Sequence, residues 1–204
     1  IERTMKADLY VSSAGAQSAS STHQISSATI ERLRALPEVI EVATLRARGI
    51  TLRGAPTMVL GVDGPFTRRQ EAYAWVVEPG VAEWWKNEGA IINESFAERF
   101  EVKAGDELEL PGGHRVRIHG IQADYGNERG AVTISEEAFR QWFEGEMAWR
   151  VALMLKPGVD AEVVAKRIAE AHPGLSVFTN AHLRREALRI FRQTFSVTYA
   201  LEVI

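Results

Sequence analysis

Two histidines in the stretch HRVRIHG, His114 and His119, are the residues that most resemble metal ligands. Zinc takes imidazole nitrogens readily, but the rings must converge on one point. Side chains alternate between the two faces of a strand, so residues five apart point in opposite directions. His114 then shares a face with Val116 and Ile118, and His119 shares one with Arg115 and Arg117. Unless a bulge intervenes, the pair cannot chelate one ion, and no metal site is expected. His172, just before Pro173 and Gly174, reads as a solvated helix end.

Acid–base chemistry would need two carboxylates in a cleft with separated pKa values. Glu94 and Glu98 fall on one helical face, and Glu107 and Glu109 on one strand face, but both pairs read as solvated. The serines of SSAGAQSASSTHQISS lack a nucleophile elbow and placed His and Asp partners. No phosphate-binding G-x-x-x-x-G-K-[ST] loop occurs. GVDG, ending at Gly64, reads as a turn in which Asp63 bonds its own backbone. Cysteine is absent, which removes disulfides, thiolate metal sites and cysteine nucleophiles together. No catalytic residue and no cofactor are expected.

What remains is contact chemistry. Trp84 and Trp85 are adjacent, so one helix stripe cannot bury both. One is expected in the core and the other at a seam or exposed as a contact for a partner or acyl chain. Arg184, Arg185, Arg189 and Arg192 precede the apolar stretch from Phe195 to Ile204. A spanning helix needs about 20 apolar residues. The pattern reads as a membrane approach, and Ile1 and Ile204 read as cut edges of a longer chain. Arginines cluster on the cytoplasmic side of spans. On an extracytoplasmic domain these four would need another task, such as binding phospholipid head groups. The competing reading is a C-terminal amphipathic helix docked on its own domain.

The elements that position these residues follow from periodicity. ADLYVSS, VIEVATLRARGITLRG (closed by Gly54) and GAVTIS read as strands, and WRVALMLKPG reads as a strand apolar throughout, as expected when both faces are covered. ATIERLRALPEV is a helix capped by Ser26 or Ser27, and Ser135 caps one with Phe139, Trp142 and Phe143 inward. DAEVVAKRIAEAHPG is capped by Asp160, with Glu162 and Lys166 as an i,i+4 pair. Between residues 53 and 129 the pieces shorten. NESFAERF is one short helix with Phe96 and Phe100 on one face, and LPGGHRV is a hairpin signal. Two βαβ-like halves therefore flank an inserted, mainly β block. The 204 residues, 46% hydrophobic with a net charge of -3, can bury a core, and the charge does not suit a nucleic-acid binder.

ADLYVSS, IERLRALPEVIEV, MVLGVDG, AIINESFAERFEVKAGDELEL and VRIHGI occur in the order found in MacB/FtsX-like ABC transporter permeases, and FRQTFSVTYALEVI is similar to the start of their returning transmembrane helix. The chain thus resembles the extracytoplasmic, or periplasmic core, domain of that family. The resemblance implies an α+β fold, with a βαβ-rich porter-like subdomain (1–52 with 130–180) split by a small, mainly β, sabre-like subdomain (53–129). A stalk helix, 181–204, would lead into the membrane. It also implies a non-catalytic part of an inner-membrane complex. A separate ATPase subunit would hydrolyse ATP, and the domain would couple that work to a lipid, lipoprotein, peptide or drug, or to a periplasmic partner. A free-standing secreted ligand-binding protein or enzyme is the alternative from another class, and a tether that only recruits a partner is a third.

Overall fold

The computed structural model describes residues 7–14, 24–63, 73–124, 127–143, 147–186 and 189. In chain order the elements are β1 (Leu9–Ser13), α1 (Ser27–Arg34), β2 (Val39–Leu52), β3 (Ala55–Val62), β4 (Trp75–Val77), β5 (Gly89–Asn93) and α2 (Glu94–Phe100). They continue as β6 (Glu107–Leu110), β7 (His114–Gln122), β8 (Ala131–Ser135), α3 (Glu136–Trp142), β9 (Arg150–Leu155), α4 (Ala161–Ala171) and β10 (Leu175–Thr179). Residues 180–186 are helical again.

Side-chain oxygens start the helices. Ser26, Asn93, Ser135 and Asp160 each accept from backbone N–H groups of the first turn, satisfying donors that have no intrahelical acceptor. Lys166 turns to Glu170 at 3.9 Å, and Glu162 instead accepts from Thr179 Oγ1 at 2.9 Å. The expected Glu162–Lys166 pair is therefore not formed, because a β10 hydroxyl reaches Glu162.

The strands join in one mixed sheet, ordered β10-β1-β9-β2-β3-β8-β5-β7-β4, with β6 on β7. β9 lies antiparallel between β1 and β2, and β1 lies antiparallel between β9 and β10. The pairs β1–α1–β2 and β9–α4–β10 are thus interleaved, the split βαβ arrangement. Beyond β2 the character changes: β3 runs parallel to β8, β5 parallel to β7, and β5 antiparallel to β8. The mixed sheet with helices packed on it makes the fold α+β.

Helices cover two separate cores. One gathers Leu9, Val11, Ile30, Leu33, Leu153 and Ile168 under α1 and α4. The other gathers Val59, Ile92, Phe96, Val116, Ile134 and Phe139 under α2 and α3. Residues 131–142, grouped in sequence with the flanking halves, contribute Ile134 and Phe139 to this second core, because β8 pairs with β3 and β5. The reverse sheet face is lined by small residues under β2 and β9, such as Ala43 and Ala152, and by Trp84 over Val62 and Ile91. β9 is buried on both faces, as its unbroken apolar run requires.

β2 belongs to both cores. Its 14 residues pair with β9 at the start and with β3 at the end. Val42 enters the first core and Leu52 the second.

Candidate functional site

Between Val42 and Leu52, the helix-facing side of β2 changes chemistry. Alternation puts Thr44 and Arg46 on that side, and both are buried, Arg46 to 3% exposure. Arg46 Nε and Nη2 lie 2.8 and 2.7 Å from Glu136 Oε1, in the first turn of α3. On β3 the same side carries Thr57, Val59, Gly61 and then Asp63. Gly61 lets α3 approach: a Cβ there would lie 2.6 Å from Phe139 Cβ. Asp63 Oδ2 accepts from Thr44 N–H at 2.7 Å and from Thr44 Oγ1 at 3.0 Å. Asp63 therefore ties β3 to β2 rather than bonding its own backbone, because the β2–β3 register places Val62 opposite Leu45.

These groups wall a cavity of about 350 Å3 between α1, β2 and α3, lined by Glu31, Arg34, Thr44, Arg46, Glu136 and Arg140. Arg34 pairs with Glu31 on α1. Burial pushes the Asp63 carboxyl up to about 6; the Thr44 bonds oppose the rise, Glu136 adds to it and Arg34 reduces it. Arg46 Nη1 is buried with no hydrogen-bond partner among the described residues. A buried ion pair is a poor device for stability, since desolvation offsets its attraction. The seam can hold fixed opposed charges, take up a proton near pH 6 and present guanidinium donors. Among the described residues it assembles no nucleophile with a histidine base, and no group of three His, Asp or Glu side chains could hold a metal ion.

The model of the MacB-like periplasmic core domain matches residues 1–171. The chain belongs to this family. Among solved structures it is similar to the periplasmic region of MacB from Actinobacillus actinomycetemcomitans, with 8% identity, 92% of this chain and 95% of that chain covered, and a TM-score of 0.64. It is also similar to the extracellular domain of the noncanonic ABC-type transporter YknZ from Gram-positive bacteria, with 12% identity, 85% and 99% covered, and a TM-score of 0.55. At such identities these two show the fold alone. No curated protein matches the chain significantly. It is therefore the periplasmic-type domain of an ABC transporter permease.

Within this MacB-like domain the contact residues expected from sequence are scattered. Trp84 is fully buried, edge-on to Tyr73 and Trp85, and offers no surface to a partner. Both tryptophans lie in turns rather than a helix, so they point to different surroundings, and Trp85 is half-buried against the same cluster. Arg184 donates to Asn180 Oδ1 at 2.7 Å, Arg185 lies 3.8 Å from Glu162, and Arg189 pairs with Glu186 at 2.7 Å. These arginines have partners on the protein itself. Arg192 and the apolar run after it lie outside the described residues, as does most of the Ser-rich segment. Among the described residues no helix is long and apolar enough to cross a membrane.

The histidines do not converge. His114 stacks on Trp142 with ring centroids 4.7 Å apart. His119 sits at a register shift between β5 and β7, where Ala90 pairs with Ile118 and Ile91 with Gly120. It borders a groove of about 490 Å3 with Val81, Lys86 and Arg117, and burial and Arg117 lower its pKa.

Sequence reasoning assigns Asp63 only to a turn and does not connect Arg46 with Glu136. One signal was present: Arg46 stands on the strand face that also carries Val42, Ile50 and Leu52. A charge in an apolar register is a buried charge, and a buried charge needs a partner.

Proposed function

We propose that this domain relays conformational change from the membrane part of the permease to a substrate or partner outside the cytoplasm, and that the polar seam is where it flexes. The observation that carries the reading is β2. One continuous strand crosses both cores, while the helices above it, α1 and α3, are separated by a cavity walled with charge. Well-packed apolar cores move as bodies, whereas small polar interfaces permit relative motion. A partner ATPase subunit supplies the energy; this domain carries no turnover of its own. The cargo belongs to the substrate range of the family, a lipid, lipoprotein, peptide or drug, or the output is a periplasmic protein. Residues 181–204 are the stalk in this reading, with the apolar run from Phe195 to Ile204 approaching the bilayer of the inner membrane.

The test uses the intact permease with its ATPase in liposomes. Arg46→Met combined with Glu136→Leu removes both charges while keeping bulk, an exchange that buried ion pairs tolerate. The expected result is ATP hydrolysis that no longer drives, or no longer responds to, the extracytoplasmic event. Unchanged coupling in a folded double variant would remove the seam from the relay.

A further inference from the structure

We infer that the far half of β2 is an open sheet edge that takes an extended, acidic segment of a partner protein as an added strand. Leu52 and Ala55 face each other across the turn Arg53–Gly54, whose two residues have positive φ. Such a turn makes its flanking residues a hydrogen-bonded pair. Counting back from Leu52, Ile50, Arg48 and Arg46 bond to β3, and Thr51, Gly49 and Ala47 turn their N–H and C=O groups the other way. On that side β9 pairs with β2 only as far as Leu45, whose carbonyl accepts from Trp149 N–H at 2.9 Å. The chain before Trp149 leaves β2, because Ala148 bridges to Ile25. From Ala47 to Leu52 nothing pairs with this side of β2 among the described residues, and Arg48, Gly49 and Thr51 are exposed.

An unpaired edge is a template for another strand, with backbone bonds for affinity and alternate side chains for choice of partner. Charge selects the occupant. From Thr44 to Val62 the β2–β3 hairpin holds Arg46, Arg48 and Arg53 and no acidic residue. Arg46 is matched by Glu136, and Arg53 donates to the Phe100 carbonyl at 2.7 Å. The Arg48 side chain has no partner among the described residues. A second copy docked edge to edge would set two such hairpins side by side, positive against positive, whereas an acidic residue across from Arg48 makes the favourable pair. On the reverse face Gly49 has no side chain, and an apolar residue of the incoming strand can lean across it onto half-buried Met58, its neighbour on β3. The segment that fits therefore alternates acidic or polar residues with apolar ones. The inference requires only the open edge and no membrane relay, so the two can fail separately.

The 204-residue chain is titrated with a capped peptide in which valine alternates with threonine and glutamate replaces the central threonine. Backbone amide NMR and hydrogen exchange follow the titration. The expected result is saturable binding that shifts and protects the Gly49 and Thr51 amides, while those of Arg48 and Ile50, already bonded to β3, gain little protection. Lysine in place of the glutamate should weaken binding about fivefold, and Arg48→Gln should remove that preference. Gly49→Pro deletes an outward N–H where an added Cβ meets nothing within 4 Å, and should abolish binding. Thermal unfolding verifies that this variant folds. The same peptide N-methylated along the edge that would face β2 should not bind, a test that leaves the protein unaltered. No saturable binding, equal affinity for the glutamate and lysine peptides, or undiminished binding of the methylated peptide overturns the proposal. Peptide-induced protection confined to β10, the outer strand at the other end of the sheet, overturns it as well. Protection of Gly49 and Thr51 that grows with chain concentration in the absence of peptide assigns the edge to a second copy and also overturns it.

Discussion

Arg46 gives two donors to a single oxygen of Glu136, Nε at 2.8 Å and Nη2 at 2.7 Å, across the gap between a strand shared by both cores and the first turn of α3. Removing one partner leaves the other charge uncompensated. Glu136→Ala should destabilise the chain by about 3–5 kcal/mol, and the double variant Arg46→Met with Glu136→Leu should recover most of that loss. Urea unfolding midpoints of the two variants check this, and additive losses would show that the pair is not a unit.

Asp63 makes stability depend on pH. Its carboxyl is raised from 3.8 to about 6 in the folded chain, chiefly by burial. Between those values the native state holds more protons than the unfolded state, so stability falls as pH rises through the window and the penalty is complete above it. The span corresponds to up to about 3 kcal/mol. Asp63→Asn keeps an acceptor for Thr44 and should flatten the profile between about pH 4 and pH 7, with a higher midpoint than the parent at the upper end. A parent-like slope in the variant would assign the titration elsewhere.

Gly61→Ala should lower stability by about 1–3 kcal/mol, the range for overpacking a filled site. The new Cβ would lie 2.6 Å from Phe139 Cβ and Cγ, close to the ring's root, so rotation cannot relieve it and α3 must shift. Gly49→Ala, where an added Cβ meets nothing within 4 Å, is the control expected near zero. Thermal unfolding of both variants decides the point.

Trp84→Ala should cost about 3–5 kcal/mol, as for a large aromatic removed from a core. Trp84 is 0% exposed and fills the reverse sheet face with Val62 and Ile91. Trp85→Ala should cost clearly less, because Trp85 is only half-buried. Equal losses by denaturant titration would contradict this packing.

Much of the scaffold was legible because local rules acted alone. The caps Ser135 and Asp160, the Phe96–Phe100 face and the LPGGHRV hairpin all appear where spacing and turn chemistry place them. The unbroken apolar run of β9 reported a strand buried on both sides. What local pattern does not carry is long-range pairing. Asp63 looked like a turn residue because its partner, Thr44, is 19 positions away. Arg46 and Glu136 are 90 apart, and no local pattern links them. β8 joins the second core through β3 and β5, which chain order does not reveal. Adjacency argues that Trp84 and Trp85 differ in surroundings, not which of the two is inside.

In the proposed relay, the seam between α1 and α3 responds to the ATP cycle. The 204 residues contain no cysteine, so, with any cysteine elsewhere in the permease and its ATPase replaced, spin labels are placed by Arg34→Cys and Arg140→Cys, two exposed positions lining the cavity. In the permease reconstituted with its ATPase, the distance between them is measured without nucleotide and with the ATP-bound state trapped. Two distinct distance distributions that interconvert with nucleotide state are expected. A single distribution unchanged through the cycle, in a complex that still hydrolyses ATP and transports, would contradict it.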